Sequence, residues 1–382
     1  MSKRLKQTTK GRAADVAARE ATLAVELKGW FRKSARDLPW RRTRDPYAIW
    51  LSEVMLQQTR VETVIPYYER FLQRFPDVRA LASAEIDEVL SLWSGLGYYR
   101  RARELHRCAQ EVASMHGGVF PAEAAELRKL RGIGPYTAGA VSSIAFDRPA
   151  ALVDGNVARV LARLEAIEDD VKSTAGLKRI WSVAERLVPR EEPGAWNQAL
   201  MELGATICTP QNPACLICPV RDACAARAQG RERELPIVGE KRASPRVAMV
   251  AAVVEHEGRF LFARRKEGGL FGGLWEPPMV EAQTAEDAKP SLRGAGVAVE
   301  AKLTEVGRVE HVLTHRELDV LVLRARADRL WPLEAPTTAP YERLAWMERG
   351  AEGVGVSTLA RKILAAAKPE KKGATRKKKA RA

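Results

Sequence analysis

The sequence predicts a multi-domain protein, an all-α domain followed by an α/β domain, and three observations carry that prediction. The chain has 382 residues, enough for two full cores joined by a linker. Apolar residues between positions 14 and 227 recur at helical spacing, whereas beyond residue 245 they gather in short β-rich runs such as VAMVAAVVE. Four of the five cysteines, Cys208, Cys215, Cys218 and Cys224, fall within seventeen residues and mark a ligand loop at the end of the helical part. Lys and Arg number 63 against 48 Asp and Glu, a net charge of +15. A surplus of that size points to a polyanion. Nucleic acid fits better than a membrane, because no apolar run reaches about 18 residues. The start, MSKRLKQTTKGRAAD, lacks the apolar segment of a secretory signal, so a cytoplasmic protein with reduced cysteines is expected.

Taken in order, residues 1–13 and 368–382 are Lys/Arg-rich without apolar periodicity and read as basic disordered arms. Residues 14–227 form the helical domain. Leu23, Leu27 and Trp30 make one buried stripe, which Glu20 interrupts toward the N-terminus. Asp45-Pro46 is a cap and first-turn pair for the next helix. That helix carries Tyr47, Trp50, Leu51 and Val54 as its apolar stripe, with Glu53 on the flank, roughly 60° from Trp50. A carboxyl so placed is partly desolvated, which raises its pKa and suits it to donate a proton; a solvated surface charge is the plainer reading of a lone helical Glu. Further helices are expected at 84–93, 98–114, 122–130, 135–146, 157–165, 175–188 and 194–206.

Between two of these lies LRGIGPYTAGA. Gly132 and Gly134 bracket Ile133 in a turn whose geometry a Cβ would obstruct, and Pro135 opens the next helix. The helix-hairpin-helix that results offers free N–H groups at a helix start, a site for one DNA phosphate. An ordinary turn between helices, with Asp154 as a cap further on, is the alternative.

In the cysteine loop, CTPQNPACLICPVRDAC, six, two and five residues separate successive cysteines. Four thiolates can hold zinc or an iron–sulfur cluster, with zinc slightly favoured on the residues alone. Cys108 reads as a buried thiol within a helix. Residues 228–245 are charged and carry Pro and Gly, as an interdomain linker would. The second domain, 246–365, has strand candidates at 247–255, 259–264 and 319–325.

The hairpin with VDG downstream resembles the helix-hairpin-helix superfamily of DNA glycosylases. WLSEVMLQQTRV, VDGNV and LRGIGPYTAGA together resemble the MutY group of adenine DNA glycosylases, and the likeness runs from about residue 20 to 360. The resemblance implies removal, in base excision repair, of adenine mispaired with 8-oxoguanine or guanine in double-stranded DNA, by a monomer. It implies Glu53 as the acid toward adenine N7 and Asp154 as the carboxylate facing the sugar cation. Asn156 and Tyr136 would support them, Tyr136 by hydrogen bonding near Asp154. Tyr136 stands where relatives resembling endonuclease III carry a Schiff-base Lys, so base removal without strand cleavage is expected. Gln57, Gln58, Thr59 and the loop SGLGYYRRA match elements that enter the duplex: Gln58 and Tyr98 as wedges, Leu96 and Thr59 near the opposite base. Arg100, Arg101 and Arg103 would form a phosphate-facing edge.

The cysteine spacing matches the endonuclease III and MutY loop and so implies a [4Fe–4S] cluster, with Arg221 and Arg227 meeting phosphate. The second domain, with GGLFGGLWEPP, resembles the Nudix-like domain of the MutY group; residues 284–299 lack the acidic run of a working Nudix hydrolase, so it reads the base opposite adenine. In HVLTHREL the group's Phe-Ser-His is replaced by Leu313, Thr314 and His315, which keeps a hydroxyl and the imidazole but loses the ring. The other readings are a glycosylase for thymine or uracil opposite guanine, and a non-catalytic lesion-binding iron–sulfur protein.

Overall fold

The helix that carries Glu53 begins where Asp45 caps it: the carboxylate accepts from Tyr47 N (3.1 Å) and Ala48 N (3.4 Å), and Pro46 fills the first turn. The computed structural model of the chain describes residues 2–239, 243–298, 302–330, 333 and 340–368. The helices are α1 (Ser2–Ser34), α2 (Pro46–Leu56), α3 (Val61–Arg74), α4 (Val78–Ala82), α5 (Ile86–Trp93), α6 (Arg100–Met115), α7 (Ala124–Leu127), α8 (Pro135–Phe146), α9 (Gly155–Leu164), α10 (Thr174–Leu187), α11 (Pro193–Thr206) and α12 (Ala225–Ala228). The strands follow as β1 (Arg246–His256), β2 (Arg259–Arg265), β3 (Trp275–Glu276) and β4 (Met279–Glu281). After α13 (Ala285–Gly294) come β5 (Thr304–Val312), β6 (Glu317–Arg326), β7 (Tyr341–Glu348) and α14 (Thr358–Ala366).

The chain divides into two units, described separately. One takes residues up to Ser83 and those from Glu104 to the linker; the other takes Ala84–Arg103 together with the residues after the linker. The second thus includes α5, the 94–99 loop and the first turn of α6, which the sequence assigned to the helical domain. Gly355 shows why: a Cβ there would come within 2.7 Å of Leu90 Cβ, so α5 lies directly on the loop before α14.

In the helical unit α2 is buried on every side from Tyr47 to Met55, rather than along one stripe. Leu23 and Leu27 of α1 join Leu161, Ile180, Trp196 and Leu200 in a core that closes over α9 and α11. Residues 2–13, expected as a separate arm, are the first turns of α1. Of the expected tail only Lys368 lies within the described residues.

The linker also departs from expectation. Leu235 is 1% exposed, its carbonyl accepts from Arg163 Nε (2.7 Å), and Ile237 O accepts from Val171 N (3.1 Å). Residues up to 239 therefore belong to the helical unit.

Among the described residues of the second unit, seven strands form a mixed sheet in the order β3-β2-β1-β6-β5, with β4 on β1 and β7 on β2. β1 and β6 run parallel (Val250 opposite Leu321), and the other pairings are antiparallel. Met249, Ala251 and Val253 face Leu359 and Ile363 of α14, while Val250, Ala252 and Val254 face Ala288 and Leu292 of α13. Both faces of β1 are covered, which is why it reads as an unbroken apolar run.

Candidate active site

Two helix starts and one helix interior bring the candidate groups together. Glu53 projects from within α2, Tyr136 is the second residue of α8, Asp154 is the N-cap of α9, and Asn156 stands two residues on. Glu53 is only 4% exposed, and its Oε2 accepts a hydrogen bond from the Tyr136 hydroxyl. Burial pushes its carboxyl up to about 7; the Tyr136 bond pulls it down, the Asp154 charge pushes it up, and the Arg41 charge pulls it down. Burial thus favours the protonated carboxyl well above the usual carboxylate range. Tyr136 differs from expectation in its partner. Its hydroxyl bonds Glu53, with Met201 Sδ at 3.5 Å, rather than Asp154. The phenol meets Glu53 because α2 and α8 pack together, and burial drives its pKa well upward.

Asp154 is half-buried. Its Oδ1 accepts from Val157 N (2.7 Å) and its Oδ2 from Asn156 Nδ2 (3.2 Å). Burial raises its pKa, while those bonds and the Arg159 guanidinium oppose the rise. The capping role and the candidate chemical role thus fall on the same carboxylate. Arg159 fixes the support: it donates to Asn156 Oδ1, to Gly204 O and to Cys208 O, each at 2.8 Å.

A second buried acid was not read from the sequence. Glu202 of α11 is fully buried, yet Arg36 and Arg41 hold its carboxyl down at about 2 against the effect of burial, each through a 2.8 Å bond to Oε2. The signal was present, an acid inside the apolar run ALMELGA, but its partners lie more than 160 residues away.

Before α8 the hairpin closes through Ile133 N to Leu130 O (3.2 Å), with Leu130 and Ile133 buried and Gly132 and Gly134 exposed. Gly132 has φ +74°, and a Cβ there would meet Glu104 Cβ at 3.0 Å. Gly134 corrects the expectation: it has φ −85° and nothing within 4 Å of an added Cβ, so its requirement is open approach to the α8 N-terminus rather than turn geometry.

Among the candidate DNA contacts, Gln57 ends α2 half-buried, Gln58 is exposed at φ +58°, and Thr59 Oγ1 donates to Gln57 O (3.3 Å). Within the second unit Tyr98 is exposed at φ +49°, and its hydroxyl lies 2.6 Å from Thr314 Oγ1. Two residues named separately from the sequence are therefore partners. Thr314 and His315 sit exposed at the tip of the β5–β6 hairpin, closed by Leu313 N to Arg316 O (2.9 Å), and not within a strand. Leu96 is 5% exposed, turned into the core rather than toward a base. Tyr99 is likewise a core residue, its hydroxyl donating to Val356 O (3.1 Å).

The expected arginine edge is reduced to Arg100. Arg101 lies between the Trp93 and Tyr98 rings, 5.3 Å from each centroid, and Arg103 is buried and donates to Gly272 O. Arg221 and Arg227 both stand 3.5 Å from Asp222.

None of the four loop cysteines is in a disulfide, and Cys215 and Cys218 both feel the charge of Cys208 and Cys224. Arg163 Nη1 donates to Cys208 Sγ (3.3 Å). Among the described residues no three Cys, His, Asp or Glu side chains converge as one metal ion would require. An all-sulfur set from a single loop, with a cation to offset thiolate charge, suits an iron–sulfur cluster. Cys108 is buried, as expected.

A proton-bearing buried acid beside a second carboxylate, set behind a hairpin and next to a four-thiol loop, is the equipment of a base-removing DNA repair enzyme. Residues 51–186 match the HhH-GPD superfamily of base excision DNA repair proteins, 208–224 the iron–sulfur binding domain of endonuclease III, and 249–366 the NUDIX domain. The adenine DNA glycosylase of Mus musculus is 38% identical over 84% of this chain and 73% of its own length; that of Homo sapiens is 36% identical over 88% and 72%. A thermostable thymine-DNA glycosylase of known structure, 28% identical, superposes on 56% of this chain and 99% of its own with a TM-score of 0.50. The chain belongs to the adenine DNA glycosylase family of base excision repair.

Proposed function

We propose that the enzyme removes adenine paired with 8-oxoguanine or guanine in double-stranded DNA, flips it from the stack to do so, and leaves the strand intact. The observation that supports this best is the buried Glu53, raised to about 7 and held by the Tyr136 hydroxyl, with Asp154 near enough for its charge to be felt. Glu53 gives its proton to adenine N7. The C1′–N9 bond breaks with its electron pair going to the base, and the Asp154 carboxylate faces the cation left on the sugar. Water then adds at C1′, and its proton returns to Glu53. Tyr136 has no amine, so no Schiff base forms with the opened sugar and the abasic strand is not cut. The pairing of Tyr98 with Thr314 supports Thr314 as the reader of the opposite base and Tyr98 as the wedge beside it. Bound at Cys208, Cys215, Cys218 and Cys224, the cluster would cross-link the loop and hold its backbone in place.

The test is a single-turnover reaction on duplexes carrying adenine opposite 8-oxoguanine, adenine opposite guanine and thymine opposite guanine. Strand breaks should appear only after alkali, fastest for 8-oxoguanine. Breaks without alkali, or borohydride trapping of the protein on DNA, would overturn the reading, as would preference for the thymine duplex.

A further inference from the structure

On the side of Asp154 that opens to solvent, the helical unit has a groove of about 640 Å³. Asp154 and Gly155 form its floor. One wall comes from the end of the loop before α10 and from α10 itself, with Val171, Lys172 and Leu177; the other comes from the linker, with Arg233, Leu235 and Val238. Leu177 is 43% and Val238 46% exposed, so both walls present apolar surface to the groove. The linker is pinned there by its backbone bonds to Arg163 and Val171, so the wall is a built one. Among the described residues neither Lys172 nor Arg233 enters an ion pair, whereas neighbouring Arg231 is paired with both Glu168 and Glu234. Arg159 also lines the groove but is spent on Asn156, Gly204 and Cys208.

We infer that this groove seats the DNA strand next to the flipped adenosine, with Lys172 and Arg233 holding one backbone phosphate and the apolar walls packing against deoxyribose. The occupant follows from charge and position: two uncommitted cations flank apolar walls suited to a sugar, and Asp154, the residue proposed to face the target sugar, is among the lining residues. The inference rests on that placement of Asp154 in the proposed function, and it gives the linker a binding role in place of a tethering one.

The test uses the full-length, cluster-loaded enzyme and a duplex whose adenosine carries a 2′-fluorine that resists cleavage. Affinity is measured against salt for wild type, Lys172→Ala, Arg233→Ala, the double variant, and Lys33→Ala as an exposed charge-loss control on α1. The log–log slope should fall by about 0.9 in the double variant, as one phosphate is no longer neutralised, and stay at the wild-type value for Lys33→Ala. A single uncharged methylphosphonate, scanned along the adenine strand, should weaken wild type at one position beside the adenosine and have no further effect there in the double variant. Unchanged slopes in the groove variants, a fall of the same size in Lys33→Ala, or a methylphosphonate effect that survives in the double variant would each overturn the inference. Adenine release from the cleavable duplex, followed separately, tells failure of the proposed reaction apart from failure of the groove.

Discussion

The proton on Glu53 ties sequence, packing and chemistry together at the scale of one residue. With a pKa raised to about 7, the acid form declines as pH rises through neutrality, so the single-turnover rate should fall above pH 7. The Tyr136 bond favours the carboxylate, so Tyr136→Phe should move that limb to higher pH, a shift readable in the pH–rate profile; a shift downward would contradict the geometry. The same group acts on stability. Its folded pKa lies above the ordinary 4.5, so its stabilising contribution is complete below pH 4.5 and is lost as pH climbs through 7, on the order of 3 kcal/mol. Glu53→Gln should therefore gain thermal stability over wild type progressively between those pH values and hold the gain above them. Glu53 stood out as a carboxyl on the flank of an apolar stripe, and the resemblance to the MutY group is what singled it out as the acid. Its hydrogen-bond partner was not legible, since Tyr136 OH reaches across 83 residues of chain, a distance that local periodicity does not encode.

At the scale of elements, α9 is aimed by contact with α11. A Cβ at Gly204 would come 2.8 Å from Asn156 Cβ and 3.1 Å from Asn156 O. Gly204→Ala should thus push back the start of α9, which carries Asp154 and Asn156, and slow adenine release by roughly tenfold to a hundredfold. Binding to the uncleavable duplex is the control; a normal rate would mean that the two helices do not fix the carboxylate. Elements with strong local signals were read well from sequence: α8 at 135–146 has a proline start, and the apolar runs of β1 and β6 cross a sheet covered on both faces. α3 was missed because Pro66 interrupts its pattern. β5 was missed because it is an edge strand, TEVGRVEHV, whose charged side chains face water, as edges that avoid further pairing do.

Across the whole molecule, Arg163 joins the cysteine loop to the linker. It is 2% exposed and donates to Cys208 Sγ (3.3 Å), Thr209 O (2.7 Å), Pro210 O (2.8 Å) and Leu235 O (2.7 Å). Arg163→Ala should loosen both segments together, with amide exchange at 208–224 and 235–238 rising in parallel; faster exchange in only one would show that they are held independently. The domain order was readable because composition changes after Cys224. The linker's attachment was not, because it rests on two isolated apolar residues and on backbone bonds that any sequence could make. The central claim, that Glu53 drives base removal while the surrounding protein binds, is tested most directly by single-turnover adenine release from an adenine:8-oxoguanine duplex. Wild type and Glu53→Gln would be compared, with duplex affinity measured in parallel. Release should be abolished in the variant and affinity kept within about twofold, a change of roughly 0.4 kcal/mol; release at the wild-type rate would contradict the account.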